Sequence, residues 1–239
     1  MICKGCGENK KLIKAHAIPE SFFVGLRDGD KAPLLTTDKD GHYPKKTPIG
    51  VYDSEILCRE CEDRFQEVDD YAQRLLIKEV DTHEEIISES VLLGYIVKNI
   101  NYSLLKRFFV SVLWRASIST HEFYSRINLG PFEEDIRQII WSGEERGKGY
   151  YDCILAKFVD TELGRVMLDP HMERWDQVNY ARFYMYGYVV YIKVDRRPTP
   201  RQLIPFVIRD NSDLYIVRRN LLKSKEYPLM LKIAQKLQK

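Results

Sequence analysis

Hydrophobic positions recur along this chain in more than one rhythm. From Glu62 to Ile77, the residues Phe65, Val68, Ala72, Leu75 and Leu76 fall on one face at helical spacing. Glu84 to Lys98 carries a similar pattern and predicts a second amphipathic helix. Ser103 to Ser117 is apolar nearly all round, through Leu104, Leu105, Phe108, Phe109, Val112, Leu113 and Ala116. A helix without a polar face belongs in a core, so this stretch predicts the central helix of the middle region. The spacing of Ser119 and Glu122 matches a capping box and predicts a new helical turn. Pro131 to Trp141 follows Gly130 as a further helix, with Ile136, Ile139 and Ile140 inward.

The rest of the chain reads as strands and turns. Lys11–Ala15 and Val51–Leu57 are short strands on either side of a turn-rich excursion, residues 28–50, that holds Asp28-Gly29, Asp40-Gly41, Pro33, Pro44 and Pro48. Tyr151–Val159, Ala181–Val194 (bent at Gly187), Leu203–Ile208 and Leu214–Val217 predict strands, and Pro228–Leu237 a closing helix. In the long strand, Tyr184, Tyr186 and Tyr188 alternate onto one face that Val190, Ile192 and Val194 continue, the pattern of a core face. Base stacking beside Arg182, Lys193, Arg196 and Arg197 is the alternative reading. Arg218 and Arg219 read as surface charge, and Arg115 as a buried arginine tied to a carboxylate beside Trp114. Gly143 to Gly149 reads as a linker; no Ser or Thr follows Lys148, so it is not a phosphate-binding loop. The fold class is α+β: an N-terminal module over residues 1–78, a helical region over 79–142 and a strand-rich region over 150–239.

Composition narrows the class of function. The chain has 239 residues, is 44% hydrophobic and 30% charged, and carries a net charge of +2, an ordinary globular mixture without a strongly basic coat. The longest apolar stretch, Leu104–Ile118, is interrupted by Lys106, Arg107 and Arg115, so no membrane span is expected. No secretory segment precedes Cys3, and a reducing, cytoplasmic setting is expected.

In that setting the cysteines favour metal over disulfides. Four of the five form two pairs, Cys3-x-x-Cys6 and Cys58-x-x-Cys61; Cys153 stands apart. Two such turns supply the four soft ligands of a tetrahedral zinc ion, and a closed four-thiolate site is structural because no position is left for water. A redox pair is the competing reading. A hairpin carrying the first pair, followed by the second pair at a helix start, is a treble-clef arrangement.

Inside this frame lies Ala15-His16-Ala17-Ile18-Pro19, and before the third cysteine Asp53-Ser54-Glu55-Ile56-Leu57. Together these resemble the zinc-containing branch of the HNH (His-Me finger, ββα-metal) endonucleases over about residues 1–75. The resemblance implies a nuclease cleaving DNA, or RNA, in which His16 is the general base and one Mg²⁺ or Mn²⁺ stabilises the scissile phosphate. It implies that Asp53, where the family has an asparagine, orients His16. Ala15 stands where the family commonly has an acidic residue or histidine. Glu62 is the candidate ligand of the catalytic ion, with the helix dipole as its competing explanation; Asp63, Glu67, Asp69, Asp70 and His42 are reserve ligands. The segments Ala15–Pro19 and Leu57–Glu62, with the downstream Leu113-Trp114-Arg115-Ala116-Ser117, resemble bacterial HNH-like proteins, which implies phage defence; an activating protein partner is a separate expectation. A catalytically inactive zinc-stabilised module that binds nucleic acid or protein is the alternative function.

Overall fold

The apolar helix predicted near residue 103 proves to be the centre of the molecule. In the computed structural model, residues 1–27, 34–35, 45–143, 147, 149–158, 167–210 and 212–228 are described. Helix α4, defined below, runs from Tyr102 to Ile118; the Asn101 side chain accepts from the Leu104 N–H at 3.1 Å and caps its start. Leu105, Phe108, Phe109, Val112, Leu113 and Trp114 are all buried on it.

The N-terminal module precedes that helix. Strand β1 (Ala15–His16) pairs antiparallel with β4 (Tyr52–Asp53), and a second pair joins β2 (Leu34–Leu35) to β3 (Lys45–Lys46). Helix α1 spans Glu20–Val24, α2 Arg59–Glu62 and α3 Gln66–Gln73. The helix predicted over Glu62–Ile77 is therefore broken, with a 3₁₀ turn at Asp63–Phe65 and a π turn at Arg74–Lys78. Its apolar face still buries Phe65, Val68, Ala72, Leu75 and Leu76.

The stretch predicted as an amphipathic helix over Glu84–Lys98 is instead a hairpin, β5 (Glu84–Ser88) and β6 (Val91–Val97). Its pairing partner lies far along the chain, and Gly94 marks the close approach to it. A Cβ there would lie 2.3 Å from the Ile216 carbonyl oxygen, so the site accepts only glycine beside a neighbouring strand. Gly94→Ala is expected to lower the unfolding free energy by about 1–3 kcal/mol by forcing the strands apart; a urea titration indistinguishable from wild type would contradict this packing.

After α4 come a 3₁₀ turn at Glu122–Tyr124 and helix α5 (Phe132–Ser142), which ends on Gly143 at φ 73°. The predicted linker at 143–149 is described only at 143, 147 and 149. Strands β7 (Cys153–Phe158), β8 (His171–Trp175), β9 (Val178–Met185), β10 (Tyr188–Lys193) and β11 (Leu214–Arg219) complete a seven-stranded mixed sheet. Its order is β5-β6-β11-β7-β10-β9-β8, with β11 parallel to β7 and the other pairs antiparallel. The sheet thus draws strands from both sides of residues 143–149.

Two further expectations are corrected. The single bent strand over Ala181–Val194 is two strands, β9 and β10, joined at Tyr186-Gly187 with both residues at positive φ. Leu203–Ile208 is mainly a 3₁₀ helix, Arg201–Phe206, that contains Pro205. The closing helix predicted over Pro228–Leu237 lies, beyond Pro228, outside the described residues.

One sheet face, with Leu155, Phe183, Val190, Ile192, Leu214 and Ile216, joins the same core as α4 and the N-terminal module. The opposite face, with Ile154, Phe158, Tyr180, Tyr184, Val189 and Tyr191, forms a second, smaller core. The aromatic strands are buried, on both faces rather than one. No helix among the described residues is long and apolar enough to cross a membrane.

Candidate functional site

The first cysteine pair is shaped by its backbone. Gly7 takes φ 76° and its N–H donates to the Cys3 carbonyl at 2.8 Å, closing a tight turn. The second pair opens α2, with Cys58 in the N-cap position, and the Cys58 N–H donates to Cys3 Sγ at 3.3 Å. The four sulfurs of Cys3, Cys6, Cys58 and Cys61 all lie within 4.8 Å of one another. Zinc–sulfur bonds of about 2.3 Å put the corners of a tetrahedron roughly 3.8 Å apart, so the cluster fits a zinc ion. Burial opposes ionisation of Cys3, but N–H groups of Cys6, Cys58 and Gly5 outweigh it and bring that thiol down to about 7. Gly5 is confined too: a Cβ there would sit 2.8 Å from Cys61 Sγ and 2.8 Å from the Trp141 ring, while its carbonyl accepts from Arg137 Nη1 at 3.2 Å. Helix α5 therefore leans directly on the turn of the first cysteine pair.

His16 ends β1 and is held at three points. Its N–H donates to Glu62 Oε1 at 3.2 Å, its carbonyl accepts from Arg115 Nη1 at 3.0 Å, and its ring Nε2 lies 2.9 Å from the Ile49 carbonyl oxygen. A carbonyl only accepts, so Nε2 carries the proton and Nδ1 is the ring's lone-pair nitrogen. Nδ1 has no hydrogen-bond partner among the described residues. Burial lowers the His16 pKa from its usual value, against the opposing pull of the Ile49 carbonyl, and keeps the ring neutral near pH 7.

Arg115 supports this arrangement from α4. It is fully buried, forks onto Asp69 with Nη2–Oδ1 at 2.7 Å and Nη1–Oδ2 at 2.9 Å, and lies 4.5 Å over the Phe65 ring. The arginine expected to be tied to a carboxylate is so tied, and it also holds the backbone of the candidate base.

Asp53 is placed elsewhere. Its Oδ1 accepts from the Glu55 N–H at 2.8 Å, and its Oδ2 from Ser119 Oγ at 2.9 Å, the Thr120 N–H at 2.6 Å and Thr120 Oγ1 at 2.9 Å. These bonds outweigh its burial and hold the carboxyl below the usual range. Asp53 thus ties β4 to the end of α4, and the Ile49 carbonyl orients the His16 ring.

Glu62 is turned toward β1, not left on a solvated helix start. Its Oε2 is buried without a hydrogen-bond partner among the described residues, and burial raises its pKa. Of the reserve ligands, Asp69 is committed to Arg115 and Asp63 lies 3.8 Å from Arg59 on the surface. His42 lies outside the described residues. Among the described residues, the cysteines are the one group of three or more His, Cys, Asp or Glu side chains that converge as metal ligands.

His16 and Glu62 line one side of an open groove of about 580 Å³. Lys11, Lys14 and Arg59 line it as well, and so does Glu20 in the first turn of α1. Sequence reasoning missed Glu20, although it stands directly after the His-x-x-Pro element. The groove therefore combines a neutral imidazole, two carboxylates and three cationic side chains. Comparison of the chain with family models, with characterised proteins and with solved structures gave no match.

Proposed function

We propose that the protein is a metal-dependent HNH-type endonuclease, built on a treble-clef zinc module, that hydrolyses phosphodiesters of DNA or, second, RNA in the bacterial cytoplasm. The observation that carries this reading is the neutral His16, with Nε2 fixed on the Ile49 carbonyl, whose Nδ1, like the buried Oε2 of Glu62, has no partner among the described residues. Nδ1 is suited to accept the proton of an attacking water. Lys11, Lys14 and Arg59 supply attraction for the phosphate backbone. Glu62 offers one hard oxygen ligand and Glu20 a second; Mg²⁺ and Mn²⁺ sites of one or two carboxylates completed by water and substrate phosphate are common. When bound, such an ion stabilises charge on the scissile phosphate and the leaving oxygen. The resemblance carried by Ala15–Pro19, Leu57–Glu62 and Leu113–Ser117 suggests phage defence as the setting; an activating protein is a further candidate partner.

A catalytically inactive binding module is the second reading, favoured by Ala15 at a ligand position and by the full commitment of Asp53 to Ser119 and Thr120. The two separate in a cleavage assay on plasmid, single-stranded DNA and RNA with Mg²⁺ or Mn²⁺. His16→Ala is expected to lose about 10²–10⁴-fold in rate, with zinc content and melting temperature unchanged. Because burial depresses the His16 pKa, the base stays neutral below 6.5, and the acid limb of kcat/KM should have its midpoint below that value. Cleavage by His16→Ala at the wild-type rate would reject His16 as the base, and binding without cleavage on every substrate would favour the inactive module.

A further inference from the structure

Arg219, expected on the surface, is drawn to the far face of the sheet, where its Nη2 donates to both oxygens of the buried Glu226 at 2.9 Å. The helical region reaches the His16 groove through a different stretch, residues 115–124, where α4 ends. Arg115 Nη1 donates to the His16 carbonyl at 3.0 Å, and the Ile18 N–H donates to the Tyr124 hydroxyl at 3.4 Å. Both grip β1 and the chain just after it. Ser119 and Thr120 grip the partner strand. Ser119 Oγ at 2.9 Å, the Thr120 N–H at 2.6 Å and Thr120 Oγ1 at 2.9 Å all donate to one oxygen, Oδ2 of Asp53. Bonds to an ionised acceptor are roughly twice as strong as neutral ones.

The grip on β4 matters because of what that segment carries. Ile49, whose carbonyl lies 2.9 Å from His16 Nε2, stands shortly before Asp53 in the chain. The pairing of β1 with β4 covers only Ala15 with Asp53 and His16 with Tyr52. A ribbon so short does not hold itself together in water. One end of the segment is pinned by Gly50, where a Cβ would lie 2.4 Å from the Phe23 ring, and by Thr47 Oγ1, which donates to the Gly50 carbonyl at 2.6 Å. The other end is pinned by Asp53. Between them, Tyr52 sets its ring edge-on to the His16 imidazole, 6.0 Å between centroids. A shift of Asp53 therefore moves the ring's neighbour and its hydrogen-bond acceptor together.

We propose that Ser119 and Thr120 are positioning residues for His16: through Asp53 they fix the strand that presents the Ile49 carbonyl, and so hold the imidazole with Nε2 protonated and Nδ1 free of a proton. Their part in catalysis rests on His16 being the base. The site then extends from the N-terminal module into the helical region.

Nitrogen NMR of the histidine rings in the full chain, at about pH 8 where imidazole is neutral, tests this without a substrate. The wild type is expected to hold His16 as one tautomer, with Nδ1 in the position of a lone-pair nitrogen. Thr120 is exposed and Ser119 half-buried, so Ser119→Ala with Thr120→Val leaves the core alone. That double variant should move the Nδ1 signal toward the averaged position of a free imidazole, and Asp53→Ala should move it further. Ser117→Ala, whose hydroxyl bonds the Trp114 carbonyl at 2.9 Å within α4, should leave it in place. In the cleavage assay the double variant should lose about tenfold in kcat with KM nearly unchanged. A His16 ring identical to wild type in both the double variant and Asp53→Ala would overturn the proposal and leave Gly50 on Phe23 as the support of the Ile49 carbonyl. So would an equal shift in Ser117→Ala. The expected ring response in a protein that binds but cleaves no substrate would support the clamp and favour the inactive module.

Discussion

Cys58→Ser is expected to cost the N-terminal module its fold, and chelation of the wild-type protein should do the same. The module has little regular structure of its own: β1 and β4 are two residues each and α2 is four. The chain around the cysteines is held by turns such as Gly7 to Cys3 and by the bond from Cys58 to Cys3 Sγ, the last of which needs the sulfur in place. Binding of zinc to four thiolates releases about 10–16 kcal/mol in comparable small modules, on the scale of a whole domain's stability. Elemental analysis should find about one zinc per chain in the wild type and close to none in Cys58→Ser. Limited proteolysis should then cut the variant within the first sixty or so residues, near β1 and β4. A chain that stays metal-free and resists the protease as the wild type does would refute a structural zinc site.

The second large effect is expected at Arg115. Arg115→Ala removes a fully buried guanidinium and leaves Asp69, whose side chain is only 20% exposed, without its partner. Breaking a buried pair from one side costs about 3–5 kcal/mol, more than the pair itself contributes. Arg115→Met with Asp69→Leu should recover most of that loss in a urea titration, because no charge is left stranded. The double variant still lacks the bond from Nη1 to the His16 carbonyl. If His16 is the base, its cleavage rate should remain about 10²-fold low although its stability returns, as small displacements of a reacting group suffice for that. Full recovery of both would make Arg115 a packing residue without influence on His16.

Much of this was legible from residue spacing. The cysteine pairs announced their cluster because short-range ligand pairs are a local property. Helix α4 announced itself because no polar face interrupts Leu104 to Ala116, and Arg115 within it had to find a carboxylate. The hairpin of β5 and β6 was hidden. Its turn, Glu89-Ser90, adopts φ of 48° and 61° without glycine or asparagine, and β8 enters β9 through Asp176-Gln177 in the same way. Gly94 reads as a helix weakness in isolation, and its reason lies in Ile216, far along the chain. The family resemblance pointed to His16 and Glu62, and both line the groove. It did not find Ile49, whose carbonyl rather than its side chain makes the contact, nor the three donors of Ser119 and Thr120 that claim Asp53 from the end of α4.

The position of β11 in the sheet has a consequence for how the chain reaches this structure. β11 pairs Leu214 with Val97 on one side and Ile216 with Leu155 on the other. Without it, β5–β6 and β7–β10–β9–β8 are two separate sheets with facing open edges. Both edges are synthesised well before the strand that joins them, and the loop it closes to β6 spans more than a hundred residues. Such high contact order makes closure slow, and during translation the waiting edges are open to pairing with other chains. The four-cysteine cluster, whose sulfurs all belong to the first sixty-one residues, is able to assemble on the ribosome long before the sheet is sealed.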